Sequence, residues 1–169
     1  MKIIITGPES AGKSQLTRDL ASHYQAPGLV EYARDYLEAL DRPYEESDLL
    51  KIAEGHLQRE ADLQADQQPL IFIDTALVVI KIWGMYKYGR TDPWIEAKLR
   101  DQQNTYYLLC APDLPWEEDP LRENPHDREV LFDMYHTALK DLNQPSAIIY
   151  GYGQERLNNA IKVVEEWRK

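Results

Sequence analysis

Lys2-Ile3-Ile4-Ile5-Thr6-Gly7-Pro8-Glu9-Ser10-Ala11-Gly12-Lys13-Ser14-Gln15-Leu16 decides the fold of this chain. Residues 2–6 are a β-branched run that reads as a buried strand. From Gln15 to Tyr24, Leu16, Leu20, Ala21 and Tyr24 recur at helical spacing. Between the two, Gly7-x4-Gly12-Lys13-Ser14 satisfies the P-loop pattern without a mismatch. Such a loop wraps a phosphate in backbone N–H groups, and the helix that follows points its positive dipole end at the same place. Gly7, Glu9, Ser10, Ala11, Gly12, Lys13, Ser14 and Gln15 are therefore the candidate nucleotide-binding residues. Lys13 has the reach for the β- and γ-phosphates, and the Ser14 hydroxyl suits Mg²⁺. An ordinary glycine turn is the competing reading, and the flanking elements weigh against it.

Four further strands can be placed, at 28–31, 70–73, 105–110 and 146–150. They are nearly continuous apolar runs, as expected of a parallel sheet covered on both faces. Helical patterns occupy 46–67, 76–86, 93–103, 127–142 and 154–167. Asp92 suits the N-cap of the third of these, with Pro93 at its first position. Strands alternating with helices predict an α/β P-loop NTPase: a five-stranded parallel sheet with helices on both faces, folded as a single domain over 1–169. Residues 111–125 hold four prolines, which exclude regular structure. They follow the fourth strand, at the ligand-binding end of such a sheet, and read as a lid.

The bulk composition narrows the partners. Net charge is −10, and no run of Lys and Arg forms a basic patch, so nucleic acid is not expected as a partner. No apolar run approaches membrane-spanning length and no signal peptide is seen, so a cytoplasmic location is expected. Cys110 is the single cysteine and reads as a small core residue. Self-association as a homo-oligomer is left open.

Asp74 follows the apolar run Leu70-Ile71-Phe72-Ile73, the Walker B pattern, where a carboxylate can hold Mg²⁺ directly or through water. The same residue would also suit a helix N-cap. Thr75, not a glutamate, comes next, and no Asn-Lys-x-Asp guanine segment occurs. Motor ATPase and GTPase readings are thereby weakened, leaving γ-phosphoryl transfer to an organic hydroxyl. Glu31-Tyr32-Ala33-Arg34 leaves the second strand where an acceptor would sit. Glu31 could take a hydroxyl proton there and Arg34 could stabilise charge on the phosphoryl group; a solvated turn with Glu–Arg pairing weighs equally. Arg122 and Arg128, in and after the lid, could close on phosphates, with surface ion pairing as the alternative. Residues 82–90 either line an acceptor pocket with aromatics or form a helix end capped by Gly89, the second being preferred.

The P-loop, Glu31-Tyr32-Ala33-Arg34, Gly55-His56, Ile73-Asp74-Thr75 and the segment from Asp113 through Trp116, Asp119 and Leu121 to Arg122 together resemble the ribosylnicotinamide kinase domain of NadR proteins. The resemblance spans nearly the whole chain. It implies an ATP- and Mg²⁺-dependent kinase of nicotinamide riboside or a similar nucleoside. It further implies Lys13 and Ser14 at phosphate and metal, Asp74 as metal ligand or base, Glu31 and Arg34 near the acceptor, and Arg122 in the lid. Three positions depart from the family pattern. Asp-Thr-Asp is Asp74-Thr75-Ala76 here, and the two aromatics expected to sandwich the pyridinium ring fall on Val30 and Asp62. A missing ring clamp is thus expected, and a regulatory ATPase or nucleotide switch stands as the alternative to a kinase.

Overall fold

Ile3, Ile4 and Ile5 are all fully buried, which consecutive strand residues achieve only when both faces of the sheet are covered. In the computed structural model, which describes residues 1–169, the first strand β1 (Lys2–Thr6) lies at the centre of the sheet. The chain continues through α1 (Lys13–Tyr24), β2 (Gly28–Leu29), α2 (Tyr32–Glu38) and α3 (Glu46–Asp62). It then runs through β3 (Ile71–Asp74), α4 (Leu77–Tyr88), α5 (Pro93–Arg100), β4 (Thr105–Cys110), α6 (Arg128–Asp141), β5 (Ser146–Ile149) and α7 (Gln154–Trp167). All five strands are parallel in the order β2-β3-β1-β4-β5. No helix is long and apolar enough to cross a membrane.

Strand alternation sorts the core into two layers. Ile3, Ile5, Phe72, Leu108 and Cys110 face α1 and α7, packing on Leu16, Leu20, Ala160 and Val164. Ile4, Ile71, Ile73, Tyr107 and Leu109 face the opposite layer, which α3, α4, α5 and α6 supply. β1 has β3 on one side and β4 on the other, and β1, β2 and β3 all lie to one side of the β1–β4 boundary that the chain crosses to reach β4, so the crevice beyond the carboxyl end of β1 is the switch point where such sheets bind ligands. The P-loop occupies that crevice.

The predicted elements are all present, with shifted ends. The second strand stops at Leu29: Val30 is 58% exposed, and Glu31 has left the sheet to become the N-cap of α2. That helix had no place in the sequence reading, because seven residues with two tyrosines and three charged side chains carry no clear apolar stripe. The helix expected to reach 67 ends at Asp62, where Gln64 takes a left-handed φ of 50° and 65–67 form a separate 3₁₀ turn. Asp92 caps α5 as expected, accepting from the Trp94 N–H at 2.8 Å, and Gly89 ends α4 in the left-handed conformation.

The short α2 is held in place by α3. Tyr32 lies flat against Gly55, where a Cβ would fall 2.2 Å from Tyr32 Cε1, and the Arg59 guanidinium covers the same ring at 4.7 Å. Gly55→Ala is therefore expected to destabilise the protein. Overpacking costs about 1–3 kcal/mol, against about 1 kcal/mol that alanine recovers in helix propensity. Urea unfolding should show a lower midpoint with an unchanged slope.

Candidate active site

Gly7 and Gly12 both adopt conformations closed to other residues. Gly7 has φ 134°, and a Cβ on it would meet the Cys110 carbonyl at 2.7 Å; Gly12 has φ 72° with Leu114 Cδ1 at 2.8 Å. The loop is thus pressed between the end of β4 and the root of the 111–125 segment. Lys13 opens α1, and its Nζ donates to the Pro8 carbonyl at 2.8 Å, folding the ammonium across the loop. Ser14 is exposed at the same helix end, while Gln15 turns away and donates to Asp19 at 2.8 Å. Glu9 also turns aside: its carboxylate accepts the backbone N–H groups of Glu123 at 3.2 Å and Asn124 at 2.9 Å. Of the loop residues singled out from sequence, the side chains of Glu9 and Gln15 are engaged elsewhere, and any phosphate contact by these two is through the backbone.

Asp74 is 2% exposed and closes β3 opposite Ile5. It is not an N-cap, which corrects one of the two sequence readings: α4 starts at Leu77 after Ala76, without a side-chain cap. Thr75 between them has φ 58°, a strained value for a β-branched residue, and its hydroxyl donates to Asp74 Oδ1 at 3.3 Å. Ser14 and Asp74 supply only oxygen, the donor type a hard Mg²⁺ takes. No group of three His, Cys, Asp or Glu side chains forms an all-protein cage. The donor set therefore fits a cation held by one or two protein oxygens together with substrate phosphates.

From the P-loop a cavity of about 510 Å³ runs toward α4 and α6. Glu31 and Arg34 line it together with the P-loop, as do the apolar side chains of Leu37, Val79, Trp83, Leu131 and Tyr135. Burial, the largest influence, raises the Glu31 carboxyl above the usual carboxylate range; Lys13 opposes the shift and Asp74 adds to it. Val30 and Asp62, the positions of the expected ring clamp, stand apart from this cavity. Val30 is exposed and Asp62 lies on the outer end of α3. Trp83 on α4 and Tyr135 on α6 are aromatic residues that do line the cavity. Trp83 belongs to the 82–90 segment, so that segment is both a capped helix end and a cavity wall.

The 111–125 segment contains neither helix nor strand and folds over the P-loop. Arg122 Nη1 donates to Ser10 Oγ at 2.9 Å and to the Glu117 carbonyl at 2.5 Å, and the Glu117 N–H donates to Ser10 Oγ at 3.2 Å. Arg34 donates to Asp119 at 2.6 Å and to Glu38 at 3.2 Å, tying α2 to the same segment. The Glu–Arg pair weighed from sequence is thus not Glu31 with Arg34: Arg34 bonds Glu38 of its own helix and Asp119 of the lid. Arg128 faces the loop from behind, donating to Leu114 O at 2.8 Å and Ser10 O at 3.3 Å.

Sequence reasoning passed over Tyr135, Asn124 and Arg156, all of which line the cavity. Tyr135 sits in the apolar stripe of α6 and looks like core. Arg156 carried a signal: it is a charge on the buried stripe that continues through Ala160 and Val164. Cys110 is fully buried, and desolvation pushes its thiol up to about 11, so it is an inert core residue.

Comparison with known proteins agrees with this geometry. The profile of the AAA domain family matches residues 2–156. The chain is 30% identical over 147 residues to the trifunctional NAD biosynthesis/regulator protein NadR of Salmonella typhimurium, covering 83% of this chain and 36% of that protein. Its E. coli K12 counterpart is 32% identical over 124 residues, covering 71% of this chain and 30% of the relative. The chain thus spans about a third of the length of these relatives. Among solved structures, NadR in complex with NR superposes with a TM-score of 0.80 at 24% identity, over 98% of this chain and 51% of that one. Thymidylate kinase from Ehrlichia chaffeensis follows the same fold, with a TM-score of 0.67 at 13% identity, over 99% and 98% of the two chains. With its P-loop, Walker B strand and five parallel strands inside the matched span, the chain belongs to the AAA domain family.

Proposed function

We propose that this chain, as one kinase domain with a lid at 111–125, transfers the γ-phosphoryl group of ATP to a ribose hydroxyl of a nucleoside. Nicotinamide riboside is the leading acceptor. The observation that carries this reading is a single shared cavity: the P-loop, Glu31, Trp83 and Tyr135 all line it. An acceptor with a flat base on these aromatic residues would present its sugar to Glu31 and to the donor phosphate. A pyridinium base suits this cavity because ring faces and a carboxylate in the same lining both favour a cation. The NadR relatives and the NadR complex with NR support the same acceptor.

In this reading Glu31 accepts the hydroxyl proton as the new O–P bond forms and the bond from the γ-phosphorus to the β-phosphate oxygen breaks. Lys13 neutralises charge on the transferring group, and Arg122, already beside Ser10 of the loop, does so from the lid. Ser14 and Asp74 would hold Mg²⁺, which would supply positive charge to offset the negative charge of the phosphates. Glu31 is preferred to Asp74 as base because Glu31 lines the cavity, whereas Asp74 is buried and not part of its lining.

ADP release measured against nicotinamide riboside, uridine, adenosine and thymidine tests the proposal. Turnover should depend on acceptor and be greatest with nicotinamide riboside; ADP release indifferent to every nucleoside would overturn it. Trp83→Ala should raise KM for the acceptor about 5–30-fold, equivalent to about 1–2 kcal/mol of ring and cation–π contact. KM for ATP should stay unchanged, which separates loss of the ring contact from loss of the fold.

A further inference from the structure

Arg156 is 4% exposed, and four of its five N–H donors are used up on three separate segments. Nε donates to Gly151 O at 2.8 Å, beyond β5. Nη2 donates to Ala111 O at 3.2 Å and pairs with Asp113, at the root of the lid. Nη1 donates to Ala11 O in the P-loop. Asp113 completes the ring by accepting from the Gly151 N–H at 2.8 Å. In the same loop Arg128 holds Ser10 O and Lys13 holds Pro8 O.

Held carbonyls have a consequence for the loop's donors. In a planar trans peptide the C=O of one residue and the N–H of the next point in opposite directions. Fixing Ser10 O and Ala11 O from outside therefore turns the N–H groups of Ala11 and Gly12 away from the guanidiniums. Both residues line the cavity, and neither N–H donates to a backbone acceptor. We infer that Arg156, paired with Asp113, is a positioning residue: it aims the P-loop N–H groups at the donor phosphates without touching the nucleotide's base. The inference rests on the kinase reading for its substrate. Its test is nucleotide binding, which does not depend on any acceptor being turned over.

The experiment is calorimetric titration of the full chain and of Arg156→Lys with ATP, with tripolyphosphate, which has no base, and with nicotinamide riboside, alongside Tm. Lysine keeps the charge and loses the planar fork. ATP and tripolyphosphate should both bind about 10-fold more weakly, with nicotinamide riboside affinity and Tm little changed. Tripolyphosphate binding within two-fold of the wild type would overturn the inference, and so would a loss shared equally by the nucleoside and accompanied by a large fall in Tm. Should Arg156→Lys fail to fold, Asp113→Asn carries the test. It keeps Arg156 and should weaken tripolyphosphate about 3-fold, and an unchanged affinity would again overturn the role. Failure of the kinase proposal would look different: intact ATP binding with no acceptor-dependent ADP release in the wild type.

Discussion

Lys13→Ala should lower kcat/KM for ATP by about 10²–10³-fold, the usual cost of removing one charged or hydrogen-bonding group aimed at a transition state in a water-poor site. Two effects combine here. The ammonium is the first cation of α1 to face the cavity, so its loss removes charge from the point where the γ-phosphoryl group develops it. It also frees the Pro8 carbonyl, to which Nζ donates at 2.8 Å, and slackens the loop. Alanine is the best helix former, so α1 should persist and the far-ultraviolet circular dichroism should not change. Lys13→Arg should not restore activity, because a planar fork cannot occupy the position of a compact ammonium over the loop. Wild-type turnover in Lys13→Ala would end the assignment of this loop to the phosphate donor.

The parts of this molecule that local chemistry specifies were legible in the sequence. Gly7 and Gly12 are needed where a Cβ would strike Cys110 O or Leu114, and their spacing announces the loop directly. Leu70-Ile71-Phe72-Ile73-Asp74 is legible for the same reason: a doubly covered strand must be apolar, and a carboxylate at its end stands out. The aromatic lining of the cavity was harder to read because it is assembled from distant elements. Trp83 and Tyr135 are 52 positions apart and share one cavity only because α4 packs on α6; each alone is an ordinary apolar residue of its helix. Aligning on local motifs instead assigned the ring positions to Val30, which the early end of β2 leaves exposed, and to Asp62, at the end of α3. Ala76 is similarly reinterpreted. It is 1% exposed at the start of α4, where an aspartate would be a buried charge, so its apolar character suits the packing of this chain.

Glu31→Gln should lower kcat by about 10²–10⁴-fold, the range for removing a positioned general base, while ATP affinity is retained. The pH profile makes the prediction specific. Burial raises the Glu31 carboxyl, so the ionised base is lost at a higher pH than for an exposed glutamate. In the wild type, kcat/KM should fall about tenfold per unit below that folded-state pKa; in the Gln variant the acidic limb should disappear. Stability should move the opposite way. The folded state binds the Glu31 proton more tightly than the unfolded state, so this group's contribution to stability is present below the unfolded pKa and is lost as pH rises through the folded pKa. At neutral pH the ionised carboxylate is therefore a net cost to folding, and Glu31→Gln should raise Tm there while abolishing most activity. An inactive variant with a lower Tm would mean that Glu31 holds the fold. A fully active variant would pass the role of base to Asp74, whose own variant, Asp74→Asn, should otherwise raise the Mg²⁺ requirement and keep the acidic limb. The opposed movements of Tm and kcat at one residue are what a buried base predicts and a structural carboxylate does not.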